Sequence, residues 1–71
     1  MNFTPFNMAI AQHYENVDNA IAYLIDLWRD DVDITDERVF LKVMARYGLN
    51  DDGFESEHEF IKSEIKRRIS A

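Results

Sequence analysis

The sequence has no cysteine, one proline and two glycines in 71 residues. Without cysteine there is no disulfide, no thiolate metal site and no cysteine nucleophile, as is usual in a reducing compartment. The chain also lacks the basic start and continuous apolar run of a signal peptide, and its longest uncharged stretch is too polar to span a bilayer. We therefore expect a soluble, cytoplasmic protein that has no membrane partner.

The scarcity of proline and glycine leaves long stretches free to be helical, and the longest of them follows the single proline. Pro5 suits the first position of a helix, where a missing N–H costs nothing, and Thr4 can cap it. The pattern keeps its phase past Asn16, which could cap a new start, so we predict one continuous helix over about residues 5–29, about 37 Å long. Apolar residues recur along it at every third or fourth position: Phe6, Ile10, Tyr14, Val17, Ile21, Leu24 and Trp28.

Two shorter helices are predicted in the rest of the chain. One covers about residues 36–47, with Thr35 or Asp33 as its cap and Gly48 as its stop. The other covers about residues 57–69 and is opened by a Ser-x-x-Glu capping box at Ser56. The residues expected to be buried are Phe40, Val43, Met44 and Tyr47 in the first, and Phe60, Ile61, Ile65 and Ile69 in the second.

The predicted fold class is all-α, a single small three-helix domain over residues 1–71. One long N-terminal amphipathic helix has two shorter helices packed across it. The apolar arc of the long helix spans about 160°, wider than the 100° or so that a one-sided surface helix requires. Either both short helices pack on this arc, one on each flank, or part of it is left for a partner. The pattern therefore also allows a homodimer.

Charge is spread unevenly along the chain, whose formal net charge is -6. Residues 1–37 hold eight acids and one base, a balance of -7, whereas residues 38–71 hold six acids and seven bases, a balance of +1. This asymmetry disfavours direct binding of nucleic acid and favours a basic partner surface or simple solubility. The basic ridge formed by Arg38, Lys42 and Arg46 is interpreted as neutralising acids of the long helix.

Few residues are suited to catalysis or metal binding. The two histidines, His13 and His58, form no recognisable triad or metal spacing, and the His-Glu-x-x-His pattern of zinc enzymes is absent. The acidic runs at residues 31–36 and 50–53 do not place their oxygen ligands and glycine as a calcium-binding EF-hand loop does. We expect no catalytic residue, no metal and no cofactor, with His13 on the flank of the core and His58 exposed.

Tyr23 is the most unusual residue of the long helix. Helical spacing places it about 140° from the centre of the apolar face, close to acidic residues. A tyrosine with a carboxylate rim is a common anchor of protein interfaces, although it could instead cover a neighbouring helix. The candidate partner-binding residues are Tyr23, Asp26, Leu27 and Asp30, and the expected partner is another protein with a basic or aromatic-lined surface.

These observations favour a small acidic non-catalytic protein that binds a larger protein and modulates it, most simply by inhibition. Small size and acidic composition suggest a phage or mobile-element origin. An alternative is nucleic-acid mimicry, in which a row of carboxylates occupies the basic groove of a DNA- or RNA-binding protein. The acids available for such a row are Glu15, Asp18, Asp26, Asp30, Asp31 and Asp33. A further alternative is a self-associating structural protein.

The second part of the chain resembles a known helical hairpin. The run from Thr35-Asp36-Glu37 through Leu49-Asn50 to Phe60-Ile61 and Glu64-Ile65-Lys66-Arg67-Arg68 is similar to the hairpin of the small sporulation-checkpoint inhibitors of sensor histidine kinases. The resemblance covers residues 34–69 only. The connection is longer here, the last helix is out of register and the long first helix has no counterpart. What the resemblance implies is a mode of action, inhibition by docking on a larger protein.

Overall fold

The computed structural model describes the backbone of residues 5–70 and the side chains of residues 9–70. Three α-helices follow one another, α1 over Pro5–Arg29, α2 over Glu37–Arg46 and α3 over Glu55–Ser70, with a short 3₁₀ turn at Asp52–Phe54 before α3. No strand occurs in this part of the chain. The predicted all-α fold, with a long first helix and two shorter helices packed across it, is confirmed. None of the described helices is long and apolar enough to cross a bilayer.

The long helix is continuous, as predicted. It begins at Pro5 and passes through Asn16 without a break; the side-chain oxygen of Asn16 accepts a 3.0 Å hydrogen bond from Gln12 instead of capping a new helix. The proposed cap at Thr4 and the place of Phe6 on the apolar face lie outside the described residues.

The end of α1 is stabilised by a Schellman motif. The N–H of Val32 bonds the carbonyl of Leu27 at 3.0 Å, and the N–H of Asp31 bonds the carbonyl of Trp28 at 3.1 Å. This geometry requires a left-handed residue after the helix, and Asp31 supplies it with φ 65. An aspartate therefore occupies the position that glycine fills at most helix ends of this kind.

The caps of α2 are partly as predicted. Its N-terminal cap is Asp36, whose carboxylate accepts the N–H of Arg38 at 2.9 Å, so the prediction of Thr35 or Asp33 is wrong. Asp33 is not free to cap because its carboxylate already accepts hydrogen bonds from the backbone N–H and hydroxyl of Thr35. At the other end Gly48 stops the helix with φ 69, as predicted.

The predicted start of α3 is wrong. The 3₁₀ turn leads directly into α3 at Glu55, so Ser56 lies inside the helix instead of capping it. Phe54 fixes this early start, because its ring stacks on His13 of α1 with 5.8 Å between the ring centroids. Near the other end of α3, Ile69 lies beside Ile25, so α3 runs in the same direction as α1.

The core lies where the middle of α1 meets the two shorter helices. Its buried residues are Val17, Ala20, Ile21, Leu24, Phe40, Val43, Met44, Leu49, Ile61 and Ile65. Three expected members are not fully buried: Tyr47 and Ile69 are half-buried, and Phe60 is 55% exposed. Phe60 lies about 100° around the helix from Ile61 and therefore misses the face that meets α1.

Both ends of α1 extend past this core with apolar side chains exposed. Ile10 is 41% exposed, Tyr14 is 65% exposed and Trp28 is 44% exposed. The long helix thus carries more apolar surface than α2 and α3 cover, as its wide apolar arc allowed.

Replacing Asp31 by glycine should stabilise the protein. Glycine adopts the left-handed conformation without steric cost, so we expect the free energy of unfolding in urea to rise by about 0.5–1 kcal/mol. Asp31→Ala is the matched variant, because it removes the same charge and keeps the strained Cβ; it should lower stability. If both variants change stability equally, the left-handed conformation is not what limits this site.

The core assignment can be tested with one substitution at two positions of α1. Ile21 is fully buried and Ile10 is 41% exposed. Ile21→Val should lower the free energy of unfolding by about 1 kcal/mol, because it removes a packed methylene group. Ile10→Val carries the same change in helix propensity and should cost less than about 0.5 kcal/mol. Equal losses in urea denaturation would show that the two positions are equally buried.

Candidate interaction surface

Tyr23 lies in the wall of an open groove between α1 and α2. The groove has a volume of about 320 Å³. We call it the α1–α2 groove; its lining residues are Tyr23, Leu27, Val32, Val39, Lys42, Val43 and Arg46. Tyr23 and Leu27 are half-buried and pack against the core. Tyr23 therefore covers the neighbouring helix α2, which is one of the two alternatives that the sequence left open. Its role in binding a partner stays a prediction.

Two side chains, Tyr47 and Arg46, fix the orientation of the Tyr23 ring. The ring of Tyr47 meets it edge to face with 6.2 Å between the centroids. The guanidinium of Arg46 lies over it at 4.9 Å from the ring centroid and is 5.9 Å from the ring of Tyr47. Such cation–π contacts contribute about 0.5–1 kcal/mol at exposed sites. These contacts with Arg46 and Tyr47 hold the Tyr23 ring in one orientation at the side of the groove.

The four candidate partner-binding residues are only partly brought together. Tyr23 and Leu27 share the α1–α2 groove. Asp26 instead lines a depression between the end of α1 and the end of α3, where its carboxylate is 3.9 Å from Arg29. Asp30 is exposed just after α1 ends. Neither acid lines the groove.

The two histidines have structural contacts. His58 is half-buried; one ring nitrogen is hydrogen-bonded to the carbonyl of Leu49, and the ring meets Phe40 edge to face at 5.4 Å. The prediction that His58 is exposed is wrong, because the turn before α3 brings Leu49 and His58 together. His13 stacks on Phe54 at the flank of the core, as expected.

The ion pairs made by basic residues of α2 and α3 join them to acids near α2 or within α3, and not to acids of α1. Arg38 is 3.4 Å from Asp36, and Lys62 is 3.8 Å from Glu37. Arg67 and Arg68 both bond Glu64 within α3. The expected neutralisation of α1 acids by the basic ridge is not found among the described residues, because Arg46 turns onto the tyrosine rings. The acids of the row proposed for mimicry are all exposed.

Two carboxyl groups have lowered pKa values. The hydroxyl and N–H of Thr35 hold the pKa of Asp33 below its ordinary value, because they donate to the ionised carboxylate. The hydrogen bond from Arg67 lowers the pKa of Glu64, and the pKa of Arg67 is raised in turn. Both acids serve local structure, one in the turn before α2 and one along α3.

Comparison with known proteins adds no function. No family model, no curated protein and no solved structure matches the chain. The resemblance of residues 34–69 to the kinase inhibitors is therefore not supported by these comparisons.

Within residues 9–70, no group of three or more histidine, aspartate or glutamate side chains is placed to hold a metal ion. The α1–α2 groove and the exposed acids in and after α1 are the features from which a function can be inferred.

Sequence reasoning missed the groove, although a signal for it was present. Leu27 belongs to the flank of the apolar arc, and Tyr23 lies only about 40° beyond it on the same side of the helix. A half-buried position at the edge of a helix contact is typical of tyrosine, whose ring is apolar and whose hydroxyl is polar. No sequence signal indicated that Arg46 would lie over this ring.

The pKa of Asp33 provides a test of the turn before α2. In a carboxyl NMR titration, Asp33 should titrate below its ordinary value, and Thr35→Val should raise that pKa because the hydroxyl donor is lost. Thr35→Ser keeps the donor and should leave the pKa low. Because the folded pKa is the lower one, this contribution to stability is present above the unfolded pKa and is lost as the pH falls through the folded pKa. An unchanged pKa in Thr35→Val would contradict the assignment.

Proposed function

We propose that this protein is a small acidic, non-catalytic interaction protein that binds a larger protein and modulates it, most simply by inhibition. The observation that carries the proposal is the α1–α2 groove, in which a tyrosine held by Arg46 and Tyr47 forms one wall. Four aliphatic side chains form most of the remaining lining, and Lys42 and Arg46 complete it. Interface hot spots are typically aromatic and arginine side chains in well-packed pockets.

The groove and its surroundings favour one kind of partner. A projecting aromatic or aliphatic side chain would fill the apolar groove between Tyr23 and Val39. Basic groups beside that side chain would face Asp26 and Asp30, which are exposed along the outer edge of α1. The expected partner is therefore a protein surface with an apolar projection flanked by lysine or arginine.

A second candidate function is mimicry of nucleic-acid phosphates. It is favoured by the exposure of all the acids of the row that runs from Glu15 to Asp33. Of these, Glu15 and Asp26 lie on the side of α1 that faces away from the core. In this case charge and not the groove would carry the affinity, and the target would be a basic DNA- or RNA-binding surface.

Affinity capture with matched variants tests the groove. Tyr23→Ala removes a wall of the groove, whereas Phe60→Ala removes an exposed aromatic ring that does not line the groove. We expect partners to be retained by the wild-type chain and by Phe60→Ala but lost by Tyr23→Ala, with affinity lowered about tenfold or more. Circular dichroism of both variants controls for folding.

Salt dependence then separates the two functions. For a captured partner, mimicry predicts that affinity falls by orders of magnitude between about 50 and 200 mM salt, and that Asp26→Asn with Asp30→Asn weakens binding strongly. Docking through the groove predicts weak salt dependence and a dominant effect of Tyr23→Ala. Equal loss of binding in Tyr23→Ala and Phe60→Ala would contradict a specific role of the groove.

A further inference from the structure

The first part of α1 presents an apolar surface that its own fold leaves open. Ile10 and Tyr14 are exposed, although they continue the line of residues that is buried from Val17 onward. Asp18, one turn after Tyr14, is exposed beside them. We call these three side chains the α1 overhang. A binding surface complementary to the α1 overhang would be apolar, with a basic residue at its edge.

Such a surface occurs at the other end of the same molecule. A cleft of about 450 Å³ lies between the end of α1, the start of α2 and the second half of α3. We call it the α2–α3 cleft; its apolar lining comes from Trp28, Ile34, Phe40, Ile65 and Ile69. Lys62 and Lys66 lie one turn apart on α3 at its edge. Glu37 also lines the cleft, but it pairs with Lys62 at 3.8 Å, which leaves Lys66 to give the edge a positive charge.

The overhang and the cleft lie on the same side of α1. Ile10 and Trp28 are 18 residues apart, which is about five full turns of helix and about 27 Å along its axis. When two copies are related by a two-fold axis with their α1 helices antiparallel, the overhang of each copy can therefore face the cleft of the other. Both contacts then form together, and the assembly closes at two subunits.

We propose that the chain forms a reciprocal homodimer in which the α1 overhang of each copy occupies the α2–α3 cleft of its partner. Ile10 and Tyr14 would pack against the apolar lining near Trp28, and Asp18 would lie near Lys66 at the edge. The match of acidic strip to basic cleft within one sequence favours a second copy over an unrelated occupant. Burial of these side chains would also stabilise a chain of this size, because such short domains bury only about 60% of the surface that their unfolded form exposes. This surface is separate from the α1–α2 groove.

Sedimentation velocity of the full chain tests the dimer. We expect a concentration-dependent dimer whose dissociation constant rises at least about tenfold in Tyr14→Asp, because a charge would replace an aromatic ring in the contact. Phe60→Asp is the matched control, since Phe60 is a similarly exposed aromatic that lines neither surface, and it should leave the dimer intact. A wild-type chain that remains monomeric up to about 200 μM overturns the proposal and leaves the cleft to another occupant.

Exchange of charges between the two surfaces gives a second test that does not depend on the folding of one variant. Asp18→Lys and Lys66→Glu should each weaken self-association, because like charges would then face each other twice in the dimer. In an equimolar mixture the opposite charges meet again at both contacts, so a heterodimer should form with affinity close to that of the wild type. A mixture that associates no better than either variant alone overturns the proposal. Neither variant alters the α1–α2 groove, so these outcomes do not depend on the proposed function.

Discussion

Burial of the middle of α1 is the interaction on which the rest of the structure depends. Val17, Ala20, Ile21 and Leu24 form one stripe that both shorter helices cover. Helices as short as the 10 residues of α2 and the 16 of α3 are marginal in water by themselves, so packing against α1 holds them in place. Each large side chain buried there contributes about 1.5–3 kcal/mol. Without this stripe, neither the groove nor the cleft between the helices would exist.

The unequal lengths of the helices determine where surface is left for binding. At about 1.5 Å per residue, α1 is about 37 Å long, whereas α3 is about 24 Å and α2 about 15 Å. The shorter helices therefore cover the centre of α1 and leave Ile10, Tyr14 and Trp28 exposed towards its ends. The exposure of the acids of α1 has a different cause. Bases of α2 and α3 pair with acids close to them in sequence, such as Asp36 and Glu64, and leave the acids of α1 exposed.

The positions of the helices were predictable because strong local signals agree. Pro5 begins α1, and Gly48 ends α2 in the left-handed conformation that only glycine adopts without cost. The caps were less predictable, because Asp33, Thr35 and Asp36 are all good capping residues within four positions. Which of them caps α2 depends on the path of the turn. In the candidate site, the exposure of Asp26 and Asp30 followed from the sequence, whereas the contact of Tyr23 with α2 did not.

The sequence by itself determined the number of helices, their approximate limits, the face of α1 that is buried and the acidic character of its outer side. These features depend on residue spacing and on local hydrogen bonds, which act within a few positions along the chain. Only the tertiary structure decided that Arg46 lies over Tyr23, that His58 is bonded to the carbonyl of Leu49, and that Phe60 is left exposed. Those outcomes depend on the angle and rotation at which two helices meet, and these are set by the packing of side chains far apart in sequence.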